Sequence, residues 1–369
     1  MRLVPIESVR PNTVLGKTIY DIDGRLLLRA GMVLRENTID KIIEMNILSI
    51  YIVDKYSNDE IEDIIKQEIR QKAIITIKEA FSNIHRLINN GDPFRNSERD
   101  YTWQEESYFY NIGEMAENII DNVLEKKDIV LALVDIRSMN NYIYSHCVNV
   151  AVISLTIGIA LKFSKKKLEA LCIGALIHDI GKIMIPKCAI NKETDFLESE
   201  LKLLSTHSRM GYQYLSGTYN VNSLSKLIVL QHHERPDGMG YPDGLKDKNI
   251  IDLSKIVSIA DAYDNLSTDV PGKRAMFPSD ALEYLMANAG TLFDYDLISI
   301  FCRIVIPFPK GTIVKLNTEE IAIVEETIPN FPLRPIVRII KGPMESRIDS
   351  SISLLKELHI VITEIEYDI

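Results

Sequence analysis

The chain has 369 residues, 46% of them apolar and 25% charged, which is material for roughly two or three packed domains. Its formal net charge of −10 excludes a general nucleic-acid binder, since such proteins present a basic face. An acidic chain that acts on a phosphate ester must gather cations locally, and bound metal ions do so most simply.

The N-terminal run Met1-Arg2-Leu3-Val4-Pro5-Ile6-Glu7 has no apolar core of a secretion signal. Residues 1–55 read as a small α+β module. Leu15 to Tyr20 and Arg25 to Leu28 flank Asp21-Ile22-Asp23-Gly24, an Asp-Gly hairpin signal. Thr38 to Asn46 has helical spacing, and Leu48 to Val53 is rich in β formers. Residues 56–107 read as a helical connector and linker. Within them, Asp59 to Asn90 carries Ile77, Phe81, Ile84 and Ile88 on one helical stripe, fit for a packed connector or for a homodimer contact. Gly91-Asp92-Pro93 ends it.

Residues 108–305 are patterned almost wholly as helix. The predicted helices are Met115 to Leu124, His146 to Lys162, Lys166 to Ile177, Glu198 to Leu215, Ser223 to Gln231 and Leu253 to Leu266. The most apolar stretch, Cys147 to Phe163, includes Asn149, Ser154 and Thr156. It is short and polar for a membrane span and reads as a buried core helix. Residues 306–369 change character: Gly311 to Leu316, Ile321 to Glu325, Pro335 to Ile340 and Leu358 to Ile365 are β-branched runs between turns. The fold class expected is multidomain, an all-α central domain between a small α+β N-terminal module and a β-rich C-terminal unit. Cys147, Cys172, Cys188 and Cys302 lack the spacing of a zinc knuckle or a redox pair, so they read as reduced thiols of a cytoplasmic protein.

Five of the seven histidines lie between His146 and His233; His85 and His359 stand apart and read as satisfied or solvated side chains. His178 is followed by Asp179-Ile180-Gly181-Lys182. His232-His233-Glu234 forms a second dense patch, His207 lies between, and Asp261 sits in Ala260-Asp261-Ala262-Tyr263-Asp264. Imidazole with carboxylate suits Zn, Fe, Mn or Ni. Neighbouring ligands on a helix diverge by about 100°, so an adjacent His-Asp pair serves one site best when the carboxylate bridges two ions. Two ions roughly 3.5–4 Å apart hold a hydroxide and clamp a phosphodiester for in-line attack. Lys182 is a candidate to neutralise charge on the phosphate oxygens. Arg235-Pro236-Asp237-Gly238-Met239-Gly240-Tyr241-Pro242 is a constrained loop that directly follows two candidate ligands.

These residues resemble the HD-GYP family, bacterial cyclic-di-GMP phosphodiesterases of the HD phosphohydrolase superfamily. The resemblance covers roughly residues 125–305 and makes the all-α central domain an HD-type catalytic domain. It implies His146, His178, Asp179 and Asp261 as ligands of a first metal, and His207, His232 and His233 with the bridging Asp179 as ligands of a second. It implies Asp179 and Lys182 as catalytic. Lys182, Tyr241, Asp264, Lys273 and Arg274 are the implied substrate contacts. The implied cofactors are two divalent ions, Fe or Mn before Ni or Zn. Tyr142 occupies the position where some members carry a third-metal glutamate, so two ions are expected, and Val270 replaces an arginine of the substrate segment. The implied reaction opens cyclic-di-GMP to the linear dinucleotide by attack of a metal-bridging hydroxide. A non-catalytic cyclic-dinucleotide sensor and a hydrolase of cyclic GMP-AMP are the alternatives, and diguanylate cyclases are implied as candidate partners.

Overall fold

The computed structural model describes residues 1–20, 25–45, 47, 49–54, 64–90, 103–125, 142–186, 197–268, 275–328 and 330–367. At the N-terminus, β1 (Arg2–Pro5), β2 (Val14–Leu15) and β5 (Ser49–Val53) form an antiparallel sheet in the order β1-β5-β2. β3 (Ile19–Tyr20) and β4 (Leu26–Leu28) pair as the expected hairpin, whose Asp-Gly turn lies outside the described residues. Helix α1 (Glu36–Glu44) lays Ile39 and Ile42 onto the sheet, where they meet Val4, Leu15 and Ile50 in a small core of their own.

The central body is helical: α2 (Gln67–Asn90), α3 (Trp103–Leu124), α4 (Tyr142–Ala160), α5 (Lys165–Leu176), α6 (Glu198–Leu204), α7 (His207–Leu215), α8 (Ser223–Gln231), α9 (Asp252–Leu266), α10 (Pro278–Ala287) and α11 (Tyr295–Ile304). A 3-10 turn, Ile180–Met184, follows α5. α4 is the axis of the body and packs against α2, α3, α5, α9 and α11. It is apolar on every side, as a helix surrounded by other helices must be. Its stretch Ile143–Ala160 is, among the described residues, the one helix long and apolar enough to cross a membrane, but 72% of that stretch is buried inside the protein.

The stripe on α2 is spent inside this body. Ile77, Phe81 and Ile84 are fully buried in the same core as α3 and α4, with the Phe81 and Tyr144 rings edge to face at 6.1 Å. The segment expected as a connector, or as a dimer contact, is therefore a wall of the central domain. The boundary expected at 107/108 falls inside α3. Phe81→Ala is expected to cost about 3–5 kcal/mol, as for other buried aromatics, read as a lower midpoint of chemical unfolding.

The helix expected over Glu198 to Leu215 is broken at Ser205-Thr206. Ser205 Oγ donates to the Lys202 carbonyl at 2.8 Å and Thr206 Oγ1 to the Leu203 carbonyl at 2.6 Å. Two successive hydroxyls bound back to the preceding turn disfavour a continuous helix, and an unbroken apolar period does not register them. The break makes His207 the first residue of α7.

At the C-terminus, β6 (Ile313–Leu316), β7 (Ile321–Glu326), β8 (Ile336–Lys341), β9 (Ser351–Ser353) and β10 (Ile362–Ile365) form an antiparallel sheet in the order β10-β6-β7-β8-β9. Alternation along β6 to β8 buries Val314, Leu316, Ala322, Val324, Val337 and Ile339 in a third core. Arg2 links the two ends, with Nε on the Asp54 carboxylate at 2.7 Å and its guanidinium on the carbonyls of Glu366 and Tyr367.

Candidate metal centre

Five helices or their ends converge on one buried point. α4 brings His146, and the turn after α5 brings His178 and Asp179. α7 opens on His207, α8 ends just before His232 and His233, and α9 brings Asp261. The end of α8 is fixed from its start: Asn222 caps it by accepting from the Ser225 amide at 2.9 Å, and Ser225 Oγ ties it to the Ala170 carbonyl of α5 at 2.7 Å. Two glycines permit the closest approaches. A Cβ on Gly181 would stand 1.9 Å from the His207 carbonyl oxygen, so only glycine lets the Asp179 turn lie against the first turn of α7. A Cβ on Gly240 would stand 2.5 Å from both the His233 carbonyl oxygen and the Arg235 amide nitrogen.

The side chains form two groups that share one carboxylate. His146, His178 and Asp179 offer ligand atoms within 4.8 Å of one another, and so do Asp179, His207, His232 and His233. Asp261 Oδ1 adjoins the first group, 3.0 Å from His146 Nε2 and 3.8 Å from His178 Nε2. Asp179 turns Oδ2 toward the first group, 3.5 Å from His178 Nε2, and Oδ1 toward the second, 3.4 Å from His207 Nε2. Lys182 Nζ lies 2.5 Å from Asp179 Oδ2, and its side chain remains 29% exposed. The Tyr241 ring covers His233 at a centroid distance of 4.7 Å, and the Tyr241 amide donates to the His233 carbonyl at 3.1 Å.

The donor set fits divalent ions. His178, His207 and His232 put Nδ1 on the carbonyls of Ala175, Leu204 and Val229 at 2.7, 2.6 and 2.9 Å. Those bonds make Nδ1 the donor and leave Nε2 a lone pair aimed inward. Nε2 of His207 and Nε2 of His232 then face each other at 3.2 Å, a repulsive contact that a cation between them relieves. His178 Nε2 and Asp179 Oδ1 are buried and lack a hydrogen bond. Buried polar atoms left this way are costly unless a ligand satisfies them.

Protonation states agree. Burial, with the neighbouring imidazoles, lowers the pKa of His207 and His178 and pushes that of His232 far down; burial and His207 take His233 to about 3. These four are neutral, the form that ligates. Burial alone would raise Asp179, but the Lys182 ammonium beside it outweighs that and holds the carboxyl well below its usual range. His146 is the exception. Burial opposes its charge, yet the carboxylates of Asp261 and Asp264 beside it lift it to about 9, so an ion entering there displaces a proton.

The seven ligand candidates, Lys182 and Tyr241 are thus brought together. Asp264 is not among the substrate-facing groups as expected. Three residues after Asp261 on α9, it is buried behind His146, accepting from Nδ1 at 2.7 Å and from Asn149 Nδ2 at 3.2 Å. Lys273 and Arg274 lie outside the described residues, as does Val270. Glu234, which the sequence placed in the dense patch without a role, is buried and accepts the amides of Asp243 at 2.7 Å and Leu245 at 2.8 Å, pinning the loop that carries Tyr241. Its signal was an acid placed directly between two histidines and a glycine-rich loop. Asn149, three residues after His146 on an apolar helix, was also missed.

Residues 114–297 match the HD domain, and residues 313–366 match the KOW domain associated with the HD domain. The chain is 28% identical over 227 residues to the cyclic di-GMP phosphodiesterase PA4108 of Pseudomonas aeruginosa, covering 62% of this chain and 55% of that one. It is 41% identical over 144 residues to the cyclic di-GMP phosphodiesterase response regulator RpfG of Xanthomonas campestris, covering 39% of this chain and 38% of the other. It is 26% identical over 200 residues to the 3'3'-cGAMP-specific phosphodiesterase 2 of Vibrio cholerae, covering 53% and 38%. The chain thus spans about half or less of the length of these relatives.

Proposed function

We propose, on the premise that the chain belongs to the HD-GYP branch of the HD domain family, that it is a metal-dependent phosphodiesterase opening cyclic-di-GMP to the linear dinucleotide. The observation that carries the reading is the shared carboxylate: Asp179 turns one oxygen to each of two ligand groups, with Lys182 beside it.

His146, His178, Asp179 and Asp261 would hold one ion, and His207, His232, His233 and Asp179 the other. Two such ions would supply an activated water nucleophile and would neutralise charge on the phosphodiester. Fe or Mn is the favoured pair, ahead of Ni or Zn. Asp179 holds both groups in one register, so nucleophile and phosphorus are aligned without a search. Lys182 reaches from the buried carboxylate toward the open side, where its ammonium meets the phosphate oxygens as charge develops. Tyr241 walls off the His233 side and offers a ring face to a base. Lys273 and Arg274 are the candidate cations for the second phosphate. Tyr142, where a third-metal glutamate would stand, favours release of the linear dinucleotide over further cleavage. A cyclic dinucleotide substrate, made inside cells, fits a cytoplasmic location.

A second substrate, 3'3'-cGAMP, is kept because two of the relatives are named for it. Protein loaded with Mn or Fe under anaerobic conditions is expected to convert cyclic-di-GMP to the linear product, followed by chromatography, with 3'3'-cGAMP run in parallel. Stripping with a chelator is expected to lower the rate at least about 10³-fold, and readdition of ion to restore it. Unchanged turnover in fully stripped protein would sink the reading.

A further inference from the structure

Helix α2 lies outside the residues that match the HD domain, yet it reaches the metal centre at two points. The first is a buried chain of polar groups. Arg70, 8% exposed, donates from Nη1 to Asn149 Oδ1. Asn149 Nδ2 donates to Asp264 Oδ1 at 3.2 Å, and Asp264 Oδ2 accepts from His146 Nδ1 at 2.7 Å. His146 Nε2 then points at Asp261 Oδ1, 3.0 Å away. The second point is His85. Asn89 Nδ2 donates to its Nε2 at 2.9 Å, so Nδ1 carries the proton and donates to the Ile183 carbonyl at 2.7 Å. Ile183 belongs to the turn that follows Asp179 and carries Lys182.

From these contacts we infer that Arg70 and His85 are positioning residues for the metal centre, and that the site is incomplete without α2. The inference rests on the two-ion reading of the site. An imidazole that binds a metal through Nε2 is oriented by the group on Nδ1, here Asp264. Asp264 is oriented in turn by an amide whose two ends are nearly the same shape. Arg70 gives Asn149 a reason to present nitrogen to the carboxylate. Without the guanidinium, the amide is free to turn its oxygen on Asp264, and two acceptors then repel. His146 loses its fixed angle as a result. At the other end, His85 holds the backbone on which Asp179 and Lys182 are mounted, so it acts on the carboxylate shared by both ions.

The test is titration of full-length, metal-stripped protein with Mn²⁺ alone, with no nucleotide present. Arg70→Met is expected to weaken one ion by about 10–100-fold, the usual effect of losing an outer partner of a metal ligand, and to leave the other unchanged. Arg70→Lys, which keeps a donor, is expected to recover most of that loss and guards against a folding defect. Asp264→Asn is expected to weaken the same ion, and the double variant Arg70→Met/Asp264→Asn no further, because both act through His146. His85→Ala is expected to weaken both ions, and His85→Gln, whose amide can still donate to Ile183, to recover part. Multiplicative effects of the Arg70 and Asp264 changes, or binding by Arg70→Met equal to the parent, would overturn the inference. A parent that binds no Mn²⁺ defeats the two-ion reading and the inference together. A parent that binds two ions without turnover defeats only the phosphodiesterase reading, and the titrations still decide the role of α2.

Discussion

Asp179→Ala is expected to leave at most one tightly held ion per chain and to lower turnover by at least about 10³-fold, the scale seen when a central charge-stabilising group is removed. The remaining ligands make the loss unequal. Asp261 still stands 3.0 Å from His146 Nε2, so the first group keeps a carboxylate and two imidazoles. The second group keeps only His207, His232 and His233, with two Nε2 atoms facing each other and no negative charge between them. The ion lost is therefore the second. Stability should respond far less than activity. The Asp179 carboxylate is buried with one oxygen lacking a hydrogen bond, a costly arrangement before any ion enters. Lys182 is 29% exposed and can turn to water once its partner is gone. Elemental analysis of the purified variant, beside steady-state rates and a thermal scan, checks all three points. Two ions retained per chain would show that the carboxylate is not shared.

Gly181→Ala is expected to damage the second ion's site without altering any ligand. The added methyl would sit 1.9 Å from the His207 carbonyl oxygen, 2.7 Å from its carbon and 2.8 Å from the Gly211 amide nitrogen. All three are backbone atoms of α7, so no side-chain rotation relieves the clash. The helix must move away from the turn, and His207 moves with it while Asp179 stays behind. Overpacking of this kind costs about 1–3 kcal/mol or more, to which the lost ion adds. Gly113 in α3 is the control, since a Cβ there meets nothing within 4 Å. Gly113→Ala should be neutral or stabilising by up to about 1 kcal/mol, because alanine favours the helix. Denaturant titrations of the two variants, with and without Mn²⁺, separate the packing cost from the loss of metal stabilisation.

Sequence carried the ligands and hid their supports. His178-Asp179 and His232-His233 were legible because imidazole and carboxylate rarely crowd together without a cation, and because each pair sits at a helix end where the period breaks. Asp264 was legible as an acid of interest, but its direction was not. Residues three apart on α9 share a face, and whether that face meets substrate or the back of His146 depends on where α4 crosses. Arg70 had no signal, since its partner Asn149 lies 79 positions away on another helix. The stripe on α2 announced burial correctly, but a periodic pattern says that a face is covered and not by what. β9, three residues with two serines, was too short and polar for its pattern to stand out, and the neighbouring strand β8 recruits it.

The central place of α4 bears on how the molecule is made. His146 leaves the ribosome early, on a helix with no polar side to show to water. Its cover on one flank, and the carboxylate that orients it, arrive with α9, and Asp264 lies 118 residues further along. At roughly 5–20 residues per second, α4 waits on the order of ten seconds before that partner is synthesised. During the wait it is the segment most exposed to aggregation and the one a chaperone has most reason to hold. The first group of ligands is complete only once Asp261 has been made, whereas the second, Asp179 with His207, His232 and His233, is complete 28 residues earlier, so the two groups are expected to become competent for an ion at different points of synthesis.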